Sequence, residues 1–102
     1  MTYRVRLTTE AEADFVWLYG FILERDATDW ALAERALEAI RAGLITLERF
    51  SFTCRKAASD SPLLRELLIP FGSAGYVALF EIDDAETVTV LAVRHQRESD
   101  YH

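Results

Sequence analysis

The sequence holds a single cysteine, Cys54, in 102 residues. No internal disulfide can form, and such a chain suits a reducing cytoplasm. Cys54 reads as a structural or loop thiol, because no partner base is identifiable nearby. Histidine occurs only twice. His95 and His102 both fall near the C-terminus, and with Cys54 they make no metal-ligand spacing. Neither a metal nor a cofactor is expected. The four glycines form no phosphate-binding loop, since Gly72 and Gly75 fall between two strand-like runs rather than before a helix. There is no nucleophile elbow. No apolar run reaches the ~18–20 residues of a membrane span, so no membrane association is expected. The start, Met1-Thr2-Tyr3-Arg4, has neither the apolar core nor the cleavage site of a secretory signal.

Excess positive charge is also missing. The net charge is −6: residues 1–9 carry +2, residues 10–50 carry −5 and residues 51–102 carry −3. Proteins that bind through phosphate contacts are basic on the binding face. The balance here argues against broad, unspecific contact with nucleic acid.

What is present is one domain, residues 1–102. Just over half of it is apolar, enough for a core without staples. Tyr3 to Thr8 alternates with period two, with Tyr3, Val5 and Leu7 on one side and Arg4 and Arg6 on the other, which predicts a half-buried strand. Thr9 with Glu12 offers a capping box for a first helix. Ala11, Phe15, Leu18 and Ile22 form its apolar stripe. Val16, Trp17, Tyr19, Phe21 and Leu23 widen that face, so the helix is either wedged between two layers or offers aromatic surface to a partner. After a polar break at 24–28, with Asp26 or Thr28 as the cap, a second stripe follows: Trp30, Ala33, Leu37, Ile40, Leu44 and Leu47. The spacing predicts an antiparallel helix pair over about 9–50. Phe50 to Pro62 reads as a loop. Leu63–Phe71, Tyr76–Ile82 and Thr87–Val93 read as three strands joined by short turns, an antiparallel meander. Leu64 and Leu68 opposite Leu67, Ile69 and Phe71 suggest burial on both faces of the first of these. The layout is α+β: an N-terminal strand, a helical hairpin, then a three-stranded antiparallel meander, with the helices packed on one face of the sheet. The other face, near Arg65 and the tail, is the expected open surface.

Chemistry concentrates after the last strand, in Arg94-His95-Gln96-Arg97 and Tyr101. Histidine exchanges protons near neutral pH. With Arg55, Arg65, Arg94 and Arg97 to hold a phosphate, His95 and Tyr101 could act on a phosphodiester. The plainer reading, which composition alone favours, is that Arg94 and Arg97 pair with Glu98, Asp100 or Glu66 and that His95 hydrogen-bonds the backbone. Arg65 is the sharper clue, because its charge in a leucine-rich strand requires a partner.

Five stretches in order resemble the RelE/ParE superfamily of type II toxin–antitoxin toxins. They are Tyr3-Arg4-Val5-Arg6-Leu7-Thr8, Ala11-Glu12-Ala13-Asp14-Phe15, Leu64-Arg65-Glu66-Leu67, Gly75-Tyr76-Val77-Ala78-Leu79-Phe80, and Val93-Arg94-His95-Gln96-Arg97-Glu98 with Tyr101. The sequence looks closest to the ParE-like, plasmid stabilisation branch. The resemblance implies the strand–hairpin–meander fold and a cognate antitoxin that wraps the hairpin and sheet, giving a hetero-oligomer. It makes Trp17, Phe21 and Trp30 the antitoxin-contact candidates. It further implies inhibition of DNA gyrase, with Arg65, Arg94, His95, Arg97 and Tyr101 as target-contact candidates. A RelE-like alternative is ribosome-dependent mRNA cleavage, for which Arg55, Arg65, His95, Arg97 and Tyr101 would be catalytic. RelE-like members commonly have an arginine where this sequence has Val77, and their lysines before the "LR" strand match only Arg55-Lys56. A third alternative is an inactive binding module that keeps the fold and the antitoxin.

Overall fold

A computed structural model describes residues 2–25, 28, 30–58, 61–72 and 74–96. The elements are β1 (Arg4–Leu7), α1 (Thr9–Arg25), α2 (Trp30–Phe50), β2 (Arg55–Ala58), β3 (Ser61–Phe71), β4 (Ala74–Ile82) and β5 (Thr87–His95). They form a five-stranded sheet in the order β1-β5-β4-β3-β2. The meander β3-β4-β5 and its antiparallel pairing follow the strand pattern. β1 crosses to the far side of β5 and pairs with it in parallel, Arg4 opposite Thr87 and Leu7 opposite Val90.

The cap of helix α1 lies one residue earlier than its sequence suggests. Thr8, not Thr9, is the cap: its hydroxyl accepts the Ala11 N–H at 3.0 Å, and Glu12 N–H makes the first helical bond to Thr8 O. The second helix begins at Trp30. Of its cap candidates, Asp26 lies outside the described residues.

Both helices pack on one face of the sheet. The core joins Ala11 and Leu18 of α1, Ala36, Ile40, Leu44 and Leu47 of α2, and Ile69, Tyr76, Ala78, Phe80, Ile82, Val88, Val90 and Val93 of the strands. These are the inward stripes at helical and strand spacing. An ideal Cβ at Gly43 would lie 2.8 Å from Ile69 Cγ1, so a glycine here lets α2 sit close on β3. Trp30 leaves the expected stripe: it is 65% exposed at the first position of α2.

Three expectations are corrected. The segment 50–62 is not a loop throughout. It holds a 3-10 turn at Ser51–Thr53 and then β2, which pairs with β3. Strand β3 is not buried on both faces, since Leu68 is 46% exposed on the side away from the helices. And β5 continues to His95, so Arg94 and His95 belong to the strand rather than to a tail.

Candidate functional site

The last residues of β5 are held from two sides. On the inner side β4 pairs with them, Val77 opposite Arg94 and Tyr76 opposite His95. Among the described residues no strand covers their outer edge, because β1 ends opposite Val90. Unpaired edge groups need other partners, and α1 supplies them. The Thr8 hydroxyl donates to Leu91 O at 3.3 Å, at the bulge that shifts the β4–β5 register. The Asp14 carboxylate accepts the Val93 N–H at 2.8 Å. The same oxygen meets the Arg94 guanidinium at 2.5 Å. Strand alternation sends the Arg94 side chain to the face opposite the helices, and its guanidinium is drawn round the edge to α1.

His95 lies on the helix face. Its ring meets Tyr76 edge-on, 5.6 Å between centroids, and Tyr76 in turn touches Phe71. Burial pushes the Tyr76 phenol above its ordinary range. The remaining tail candidates, Arg97 and Tyr101, lie outside the described residues.

Arg65 is placed elsewhere. It stands opposite Phe80, on the helix face and not on the open one, which corrects the expectation of an open surface beside it. Its partners are backbone carbonyls: Nε donates to Pro62 O at 2.6 Å, and Nη1 to Phe52 O at 3.1 Å and Cys54 O at 2.8 Å. The guanidinium also sits 5.5 Å from the Phe52 ring centroid. A charge that looked anomalous in a strand thus ties down the turn between α2 and β2. Arg65→Ala is expected to remove about 1–2 kcal/mol of stability, a drop of several degrees in Tm, readable in a thermal scan. Arg55 lies on the opposite face, where its Nε meets Glu66 Oε1 at 2.9 Å. Cys54 is half-buried, and burial raises its thiol pKa while Arg65 partly offsets the rise, so it is a weak nucleophile at neutral pH.

The described candidates Arg55, Arg65 and His95 therefore do not converge. Arg65 pairs across β4 with the Val90 level of β5, whereas His95 pairs at the Tyr76 and Ile69 level. That separates them by roughly 13 Å along the sheet. Arg55 is on the other face. Among the described residues no group of His, Cys, Asp and Glu side chains is placed to hold a metal ion, and no helix is long and apolar enough to cross a membrane.

The helical hairpin carries the aromatic surface. Trp17 and Phe21 stack at 5.3 Å with their planes 16° apart, and are 51% and 38% exposed. Val16 beside them is exposed as well, so α1 is not wedged between layers. Trp30 makes no ring contact with this pair among the described residues. A second apolar surface had no signature in the sequence reading. A groove of about 510 Å³ runs between β1 and the helices, lined by Val5, Leu7, Phe15, Leu37, Leu44 and Ile45, with Arg41 and Glu48 also along it. It borders the outer edge of the sheet. Arg4 N–H and Thr8 N–H point toward β5, so the alternate groups of Val5 and Leu7 point outward. Nothing in local alternation says that β1 is an edge strand. The signal was its pairing partner, which is remote in sequence.

Comparison with known proteins agrees with this architecture. No curated protein matches the sequence significantly. Among solved structures, the chain is similar to one from the chromosomal ParDE toxin–antitoxin system of P. aeruginosa. The TM-score is 0.72 at 17% identity, over 92% of this chain and 96% of that one. It is also similar to a chain of the RelBE2 toxin–antitoxin complex of Mycobacterium tuberculosis, with a TM-score of 0.58 at 26% identity, over 93% and 99%. The model of the ParE toxin of type II toxin–antitoxin systems, parDE, matches residues 5–100. With nearly the whole chain matched, and with the strand, hairpin and meander arranged as in these structures, the protein belongs to the ParE toxin family of type II toxin–antitoxin systems.

Proposed function

We propose that this toxin acts in the cytoplasm by inhibiting DNA gyrase, and that a cognate antitoxin neutralises it by covering the hairpin and the β1 edge. The observation that carries the choice of target is the dispersal of the described nuclease candidates Arg55, Arg65 and His95. Arg65 is bonded to carbonyls, Arg55 is paired with Glu66 on the other face, and His95 lies some 13 Å along the sheet from Arg65. General acid–base chemistry on a phosphodiester needs its groups within hydrogen-bond reach of one substrate. Val77, paired with Arg94, offers no cation where RelE-like members commonly have one. The net charge of −6 fits a protein target better than a phosphate backbone.

The antitoxin surface combines two features. The groove beside β1 is apolar and borders outward-facing backbone groups, which suits a segment that adds main-chain bonds to a sheet edge and side chains to pockets. The Trp17–Phe21 stack is the second contact candidate.

The test is a supercoiling assay with purified gyrase, antitoxin-free toxin, and the antitoxin added back. Accumulation of cleaved, linear DNA that the antitoxin reverses is the expected result. If gyrase is untouched, ribosome-dependent mRNA cleavage is assayed next, and inertness in both leaves a binding module. Ile45→Glu, at a position 62% exposed in the groove, is expected to weaken antitoxin binding at least tenfold at unchanged Tm. Unchanged affinity in Trp17→Ala and Phe21→Ala would remove the stack from the interface.

A further inference from the structure

We propose that Asp14 is a positioning residue. Its carboxylate sets the direction in which β5 delivers its final residues to the target. This rests on the reading that the end of β5 contacts the target.

The strands β1 and β5 are mismatched in length. β1 covers β5 only from Thr87 to Val90, while β5 runs on to His95. Beyond the bulge at Leu91, the strand end would be held by β4 alone, with an unpaired outer edge. Such an edge frays and twists freely unless something covers it. Asp14 covers it with one oxygen that serves two donors, the Val93 N–H at 2.8 Å and the Arg94 guanidinium at 2.5 Å. Both bonds are charge-assisted, the stronger class of hydrogen bond. The Asp14 side chain is only 17% exposed, so water competes weakly for it. The anchor beneath it is firm. Three residues before Asp14, Ala11 is fully buried, and the Thr8 cap is itself bonded to Leu91 O. Asp14 thus transmits the position of α1 to the strand end. It also withdraws the Arg94 charge from the open face, leaving His95, against Tyr76, as the next ionisable group of the strand.

The surface of α1 gives Asp14 a second consequence. Asp14, Trp17 and Phe21 are spaced three and four apart and share one side of the helix. The residue that holds the strand end therefore stands one turn from the exposed aromatic stack.

The experiment uses the full chain with Asp14→Asn, Asp14→Ala and Asp14→Glu. Three readouts are taken: amide exchange at Val93 with the His95 ring shift by NMR, gyrase inhibition, and antitoxin affinity. For Asp14→Asn and Asp14→Ala, Val93 exchange is expected to accelerate at least tenfold and the His95 ring signal to shift. Inhibitory potency should fall at least tenfold, with antitoxin affinity kept within twofold. Asp14→Glu, which keeps charge and acceptor, should recover potency to within about threefold. Unchanged exchange and ring shift would overturn the proposal. So would faster exchange with full potency, which would make the contact structural only. Collapse of antitoxin binding and Tm in both Asp14→Asn and Asp14→Ala would also overturn it. If the wild-type chain leaves gyrase untouched, the proposed target is wrong. The exchange and ring-shift readouts then still decide whether Asp14 directs the strand end.

Discussion

Phe80→Ala is expected to lower the unfolding free energy by about 3–5 kcal/mol. Phe80 lies in β4, the central strand of the sheet, and is fully buried under the helices. It is the largest of the fully buried side chains among the described residues. In register it stands between Arg65 of β3 and Val90 of β5, so no neighbour can move in without breaking a ladder on one side. Its removal leaves a cavity that the rigid sheet relaxes into only partly. A small domain has about 5–15 kcal/mol in all, so the variant should be marginal at 37 °C. Urea unfolding followed by tryptophan fluorescence tests this. The midpoint should fall with the slope unchanged. A loss under about 1.5 kcal/mol would mean that the core repacks around the gap. The fully buried site suits phenylalanine rather than tyrosine. No buried hydroxyl then needs a partner.

Gly75→Ala is expected to be at least as damaging, by about 3 kcal/mol or more, for a backbone reason. Gly75 has φ of +137°, a region that residues with a Cβ rarely adopt. An ideal Cβ there would lie 2.3 Å from Ile69 O, 3.1 Å from Phe71 N and 3.1 Å from Pro70 Cα. All three are backbone atoms of the paired strand, so no side chain can swing away. With a Cβ, residue 75 would have to leave this conformation for the β3–β4 hairpin to close, and Pro70, directly opposite, has no N–H with which to re-form the ladder. The next residue, Tyr76, holds His95. Gly75→Ala should therefore also loosen the end of β5, seen as loss of the ring-current shift at His95. A variant within about 1 kcal/mol of wild type would show that the hairpin tolerates another backbone path.

Much of this fold was legible along the chain. Alternation at Tyr3–Thr8 and at 76–93 marked strands, and stripes such as Ala11, Phe15, Leu18 and Ile22 marked helices, because burial on one face imposes a period that survives in the sequence. The helical hairpin, the meander and the α+β layering followed from that. Short elements were harder. The four residues of β2 carry Arg55 and Lys56 and show no clear alternation, and an edge strand needs none. The cap shifted from Thr9 to Thr8 because the choice between neighbouring threonines depends on where the sheet ends, not on helix chemistry.

The sequence by itself determined which residues are apolar, at what period, and in which order strand, helices and meander follow. That was enough to place the chain in its family. Only the tertiary structure decided what each charged residue does. Arg65 and Arg94 look alike as cations near a proposed site, yet one ties carbonyls of a turn and the other meets Asp14 across 80 residues of chain. The parallel pairing of β1 with β5, and the groove it opens, were likewise decided at that level. The reason is physical. Periodic burial is a local property of a segment and its own surroundings. An ion pair, an edge hydrogen bond or a groove depends on two segments whose meeting is fixed by the packing of everything between them.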